Sequence, residues 1–238
     1  MEINSKLNMR IVKKIQSHGA NSSLYIVEDT QLNEIFMLKQ IDKNKIKESS
    51  KYFDEVRNVK DIENKNIVKV NYATYDDDNI YISMPYYKNG SLQDILQERN
   101  LTVREIVKYS FEILSGLYYI HKKNILHCDI KPSNILIDDY GCAVLADFGS
   151  AININHSGVG KLKNVYYKHI APEQCYSSRV DVRVDIYQFG NTLYRMCNGE
   201  EEYNKQVKKS KNMTELKNAI VNGSFPSRKK YYPHIHRK

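Results

Sequence analysis

Between His127 and Leu136 the chain reads His-Cys-Asp-Ile-Lys-Pro-Ser-Asn-Ile-Leu. A carboxylate at Asp129 is therefore followed by an amine at Lys131 and an amide at Asn134. A second acid, Asp147, stands eighteen residues after Asp129 and opens Asp147-Phe148-Gly149. These are the residue types of acid–base and hard-cation chemistry. Taken singly, an Asp or Asn in such a place is a turn or cap residue. The whole set at these offsets asks for more than turn chemistry. Upstream, Lys39 ends Phe36-Met37-Leu38-Lys39, and Glu55 falls on a stretch with helical spacing.

The first segment resembles the catalytic loop of protein kinases, H-R-D-x-K-P-x-N, and Asp147-Phe148-Gly149 resembles their D-F-G. The chain is identified as resembling a eukaryotic-type (Hanks-type) serine/threonine protein kinase from about Ile11 to its end, because D-x-K-P-x-N looks like the Ser/Thr class. Phosphoryl transfer needs a carboxylate beside the acceptor hydroxyl and cations that neutralise the phosphates. The resemblance implies Asp129 as that carboxylate, with Lys131 beside the transferring group and Asn134 and Asp147 as metal ligands. It implies ATP with Mg²⁺ (or Mn²⁺) as cofactors. Lys39 takes the place of the V-A-I-K lysine, on the α/β-phosphates, and Glu55 is its ion-pair partner, about nine residues before Asn64-Lys65-Asn66-Ile67-Val68. Gly19, Leu24, Met37, Met84, Tyr86, Tyr87 and Leu136 complete the implied nucleotide site, with Met84 as gatekeeper and backbone groups of Tyr86 and Tyr87 at the adenine edge. Val59, Val70, His127 and Phe148 would form an apolar spine, which makes His127 a packed core histidine. Ala171-Pro172-Glu173 matches A-P-E. Asp185-Ile186-Tyr187-Gln188-Phe189-Gly190 resembles the start of the central helix, where Asp185 would hold the catalytic-loop backbone.

The elements that must position these residues change character along the chain. Ile11–Ile15, Leu24–Glu28, Ile35–Ile41, Val68–Tyr75 and Ile80–Met84 read as strands, with a helix over Lys51–Ile62 that places Tyr52, Val56 and Val59 on one face. After Pro85 the pattern becomes helical. A short helix runs from a Ser91 cap to Gln97. A buried helix runs over Thr102–His121, with apolar residues at 103, 106, 107, 111, 113, 114 and 117, and another over Asp185–Cys197 stops at Asn198-Gly199. Ala151–Tyr167 reads as a long polar loop. The expected fold is α+β and two-lobed: a small antiparallel-sheet lobe with one helix (1–84), a hinge (85–90), a mainly helical large lobe (91–204) and its basic C-terminal part (205–238).

Several positions depart from the family pattern. Against G-x-G-x-x-G-x-V the chain has Ser17, Gly19, Ser22 and Leu24, so one glycine of three remains and a weaker phosphate grip is expected. Met37 stands where the family has the alanine that covers adenine, and its long thioether narrows that wall. Cys128 replaces the arginine that pairs with an activation-loop phosphate, so a phosphorylation switch loses its usual charge partner. Cys128 reads either as a small buried thiol or as a redox sensor. Val165–His169 lacks the threonine found before A-P-E. The chain stops where relatives continue into two further helices that bring an arginine to the A-P-E glutamate. A pseudokinase acting as a binding or scaffold module is the alternative to an active enzyme.

Composition bounds the rest. The chain has 238 residues, 41% hydrophobic and 27% charged, which suits a globular chain able to bury a core without staples. No apolar run reaches membrane-span length and the N-terminus has no signal-peptide pattern, so no membrane association is expected. The four cysteines form no C-x-x-C pair, which fits a reduced, cytoplasmic protein without structural metal. Net charge is +8, but Lys205–Lys238 alone holds ten Lys/Arg and one acid, leaving the first 204 residues at −1. That tail suits an acidic partner or a solvated end. It carries no nucleic-acid recognition motif, so nucleic acid is not an expected partner. The expected partners are proteins offering Ser/Thr acceptors.

Overall fold

The computed structural model describes residues 8–15, 22–46, 53–162 and 170–227. The expectations placed on Ser17, Gly19, Tyr52, Val165–His169 and the end of the basic tail lie outside the described residues. The chain divides into two compact units, one formed by residues 1–63 and 68–87, the other by residues 64–67 and 88–238. The change of unit between Tyr87 and Lys88 falls within the expected 85–90 hinge.

The first unit is a five-stranded antiparallel sheet. Its strands are β1 (Met9–Ile15), β2 (Ser22–Asp29), β3 (Glu34–Asp42), β4 (Tyr72–Tyr75) and β5 (Asn79–Pro85), in the order β1-β2-β3-β5-β4. Between β3 and β4 lies the one-and-a-half-turn helix α1 (Asp54–Val59). The β3 register sets Lys39 against Leu24 on β2 and Ile82 on β5, and Met37 against Ile26 and Met84. Side chains alternate across a sheet, so Leu24, Met37, Lys39, Ile82 and Met84 share one face. Two expected elements are shorter than their patterns. The helix ends at Val59 with Lys60 as its C-cap. The strand expected from Val68 begins only at Tyr72, because the preceding segment is used elsewhere. The Asn66 amide donates to the Ala143 carbonyl at 2.9 Å, Leu145 N–H donates to Asn66 O at 2.8 Å, and Ile67 bridges to Leu145. This is why residues 64–67 belong to the second unit, although they fall inside the expected 1–84 lobe.

The second unit is mainly helical. Its helices are α2 (Leu92–Glu98), α3 (Val103–Lys122), α4 (Arg183–Asn198), α5 (Glu200–Lys209) and α6 (Met213–Val221). Capping boxes open the first two: Ser91 with Asp94, and Thr102 with Glu105. The short strands β6 (Ile125–Leu126) to β9 (Ile152–Asn153) and β7 (Ile135–Ile137) to β8 (Ala143–Leu145) form two ribbons, and β10 (Gly160–Lys161) with β11 (Arg179–Val180) forms a third. Part of the stretch read as an irregular loop is therefore paired backbone. Gly116 lets α3 come close to its neighbours, since a Cβ there would lie 2.9 Å from the Asn66 carbonyl oxygen and 2.8 Å from Leu145.

Two sequence expectations change here. α3 is buried on one side only: Ile106, Tyr109, Ile113, Gly116, Leu117 and Ile120 face the core, while Val103, Val107, Phe111 and Leu114 are exposed. The apolar pattern is wider than the face that β6, β8 and α4 cover. The basic run that begins at Lys205 starts in the middle of α5, and α5 and α6 bury Tyr203, Leu216 and Ile220 in one cluster with Ile170 and Phe225. Among the described residues no helix is long and apolar enough to cross a membrane.

Candidate active site

In the helical unit the segment His127–Asn134 is held from behind by α4. Asp185, fully buried, accepts from the N–H groups of His127 (2.9 Å) and Cys128 (2.7 Å) and meets His121 Nε2 at 2.8 Å. One helical turn on, Gln188 accepts from Ile130 N–H at 2.9 Å and donates to the Cys128 carbonyl at 3.0 Å. Cys128 has φ 65°, the left-handed region that a side chain with a Cβ disfavours. Both peptide groups around it are thus tied to α4, which over-determines the strained residue. Gln188 was not singled out in the sequence. The signal for it is its position three residues after Asp185, on the same face of a helix.

The loop then turns its polar side chains onto one another. Asp129 Oδ2 receives Lys131 Nζ at 2.7 Å and Asn134 Nδ2 at 2.9 Å, and Asn134 also donates to the Asp129 carbonyl at 2.9 Å. The carboxylate is nearly buried, and Lys131 is partly exposed. Both of these side-chain bonds fall on Oδ2, and neither uses Oδ1. The His127 ring packs against Phe148 at a tilt of 51°, with ring centroids 4.6 Å apart. Its Nδ1 accepts from Asp129 N–H at 3.3 Å, so the ring proton sits on Nε2 and goes to the Ala146 carbonyl at 3.0 Å. His127 is a packed orienting residue, as expected, and its Phe148 neighbour is almost fully buried.

Asp147 follows directly. Ala146 N–H donates to Asn134 O at 2.9 Å, which brings Asp147 beside Asn134. Asp147 is exposed and has φ 61°, a second left-handed residue. Asn134 uses its NH₂ on Asp129, so Oδ1 is its outward acceptor, apart from a 3.5 Å contact with Ser133 Oγ. An amide oxygen and a carboxylate are hard oxygen donors, the type that suits Mg²⁺ or Mn²⁺. Among the described residues no three His, Cys, Asp or Glu gather as a metal cluster. Leu136, half-buried on β7, pairs with Val144 and bridges to Ser91.

The sheet unit carries the remaining site residues. Lys39 Nζ lies 2.8 Å from both carboxylate oxygens of Glu55, and both side chains are largely buried. Leu24, Met37 and Met84 line the same sheet face as Lys39, while Tyr86 and Tyr87 follow the end of β5. Of the proposed spine residues here, Val59 is buried and Val70 half-buried.

Other positions sharpen the departures. Burial pushes the Cys128 thiol well above its ordinary range, and the neighbouring Asp185 and Asp129 carboxylates add to that, so it stays a protonated packed group and is a poor redox sensor. Glu173 of the Ala171-Pro172-Glu173 segment has a buried Oε1 without a hydrogen-bond partner among the described residues. Arg195, unnoticed in the sequence, is buried. It pairs with Glu200 at 2.6 Å, bonds Gln93 of α2 and lies over the Tyr203 ring at 5.0 Å. It ties α2, α4 and α5 together.

The model of the protein kinase domain family matches residues 11–235. The chain is 31% identical over 199 residues to the serine/threonine-protein kinase CLA4 of Candida albicans, covering 82% of this chain and 20% of that protein. It is 33% identical over 191 residues to 3-phosphoinositide-dependent protein kinase B of Dictyostelium discoideum (76% and 21%). It is 30% identical over 186 residues to the serine/threonine-protein kinase STE20 of Candida glabrata (78% and 20%). The chain thus spans about a fifth of the length of each of these relatives. With its antiparallel-sheet lobe, its helical lobe and the residue set above, the chain belongs to the protein kinase family, in the Hanks-type serine/threonine branch.

Proposed function

We propose that this domain transfers the γ-phosphate of Mg-ATP to serine and threonine hydroxyls of protein substrates. The observation that carries the reading is the Asp129 carboxylate, fixed through Oδ2 by Lys131 and Asn134. Mg-ATP, when bound, supplies the phosphoryl group and the metal charge that neutralises it. Asp129 Oδ1 would orient the acceptor hydroxyl and take its proton as that oxygen bonds the γ-phosphorus and the β,γ-bridging P–O bond breaks, with ADP as the leaving group. Lys131 keeps its ammonium beside that oxygen pair, where it offsets the negative charge of the phosphoryl group. Asn134 Oδ1 and the Asp147 carboxylate are the groups that would hold the cation. Lys39, fixed by both Glu55 oxygens, presents an ammonium for the α/β-phosphates. The shared sheet face of Leu24, Met37 and Met84 supplies apolar cover for the base.

The test is transfer of labelled γ-phosphate, with Mg²⁺, to the protein itself and to a generic basic protein, beside Asp129→Asn. Label on the wild type, reduced at least about a hundredfold in the variant, is the expected result. Equal labelling of both proteins would remove Asp129 from the chemistry. No label on either, with a Mg-ATP thermal shift retained, would leave a nucleotide-binding module without transfer.

A further inference from the structure

The outward side of α3 carries a row of apolar side chains that the kinase chemistry does not use. Val103, Val107, Phe111, Leu114 and Tyr118 are 46%, 49%, 71%, 37% and 62% exposed. Their spacings of four, four, three and four residues trace one seam along the helix, about 22 Å long at 1.5 Å per residue. Scattered surface hydrophobics need no explanation, but a continuous seam over more than four turns does. The seam is narrow. Arg104, Lys108 and Ser115 on the same helix are exposed beside it. A one-residue-wide row at this period fits a second helix better than a flat or lipid surface, which needs a broader apolar face.

The charge along the seam has one sign. Arg104 and Lys122 lie beside it, with Lys123 at its end, all exposed, while the Lys108 ammonium is taken by the Gly141 carbonyl and Glu112. Lys122 Nζ lies 5.0 Å from the centroid of the Tyr118 ring. The two acids of α3 are occupied elsewhere. Glu105 pairs with Arg99 and accepts from Thr102 N–H, while Glu112 accepts from Ala143 N–H at 2.8 Å. A second copy of the chain is a poor occupant. Antiparallel pairing of two α3 helices would bring Arg104 toward Lys122, and parallel pairing would set each cation against itself.

We propose that the outer face of α3 is a docking surface for an amphipathic helix with acidic flanks, supplied by a partner protein. Phe111 and Tyr118 are the anchors, and Arg104, Lys122 and Lys123 select the partner's flanks. The surface lies apart from Asp129 and its neighbours in sequence and uses none of them, so this inference stands or falls independently of phosphoryl transfer.

The probe is a labelled helical peptide of about 20 residues with Leu at heptad positions a and d and Glu at e and g, followed by fluorescence anisotropy. A control peptide carries Lys at e and g. The Glu peptide is expected to bind, more weakly as salt rises, and the Lys peptide to bind at least about tenfold less. Phe111→Ser and Tyr118→Ser are expected to weaken the Glu peptide at least about tenfold, with an unchanged thermal midpoint because both positions are exposed. Arg104→Glu with Lys122→Glu leaves the seam intact and is expected to reverse the peptide preference. Equal binding of both peptides, or none, would overturn the proposal. So would a concentration-dependent dimer that Phe111→Ser makes monomeric, or sedimentation with phosphatidylserine vesicles that exceeds binding to the Glu peptide.

Discussion

The two charged sites of this domain are positioned in opposite ways. Lys39 and Glu55, one on a central strand and one on a helix of six residues, meet directly in a bidentate ion pair. Asp129 and its loop are held by third parties. The carboxylate of Asp185 and the amide of Gln188 fix the backbone at His127, Cys128 and Ile130 before Lys131 and Asn134 touch the reactive side chain. A direct pair is easily remade or lost with one rotamer. A clamped backbone, strained at Cys128, keeps its geometry because several buried groups would have to fail together. The Asp129 loop is therefore pre-set by the scaffold, whereas the Lys39–Glu55 pair depends on where α1 sits.

The contrast breaks most visibly at Asp185. Asp185→Ala would strand two buried N–H groups and His121, so a loss on the order of 3–5 kcal/mol is expected in urea unfolding. A loss below about 1 kcal/mol would mean the clamp is redundant. Gln188→Leu removes one acceptor and one donor, and about 1–3 kcal/mol is expected, with faster amide exchange at Ile130 as the specific readout. Lys39→Met tests the other side. Met removes the charge and keeps the apolar length, and a stability change of about 1–2 kcal/mol is expected. The Mg-ATP thermal shift should disappear all the same. The smallest effect belongs to the surface of the helical unit. The hydrogen bond from Arg99, with those from Thr102, lowers the Glu105 carboxyl from 4.5 to about 2. Because the folded group titrates below the unfolded one, its contribution is complete above about pH 4.5 and fades as pH falls toward about 2. Glu105→Gln should flatten that part of the stability–pH curve and cost about 1 kcal/mol at neutral pH through the weakened cap.

Much of this was legible in the residues themselves. The spacing of Asp129, Lys131, Asn134 and Asp147 predicts a shared site, and within the helical unit the first three meet around one carboxylate oxygen. Ser91 reads as a cap and is one, because capping is decided within four residues. Less legible were the features that depend on distant neighbours. The apolar residues of Thr102–His121 predict a buried helix, yet nothing in that segment tells which of them will be covered. The strand pattern from Val68 is sound locally, but Asn66 and Ile67 are drawn to Ala143 and Leu145. Arg195 looks like a surface cation until α2 and α5 supply Gln93, Glu200 and Tyr203 around it.

The sequence by itself determined the family and the two-lobed fold class, since these rest on residue types at short, fixed offsets. Only the tertiary structure decided which oxygen of Asp129 receives Lys131 and Asn134, what holds Cys128 in a left-handed conformation and which side of α3 faces water. Each of those depends on groups tens of residues apart in the chain, and their encounter is set by packing and hydrogen-bond geometry that no local pattern encodes.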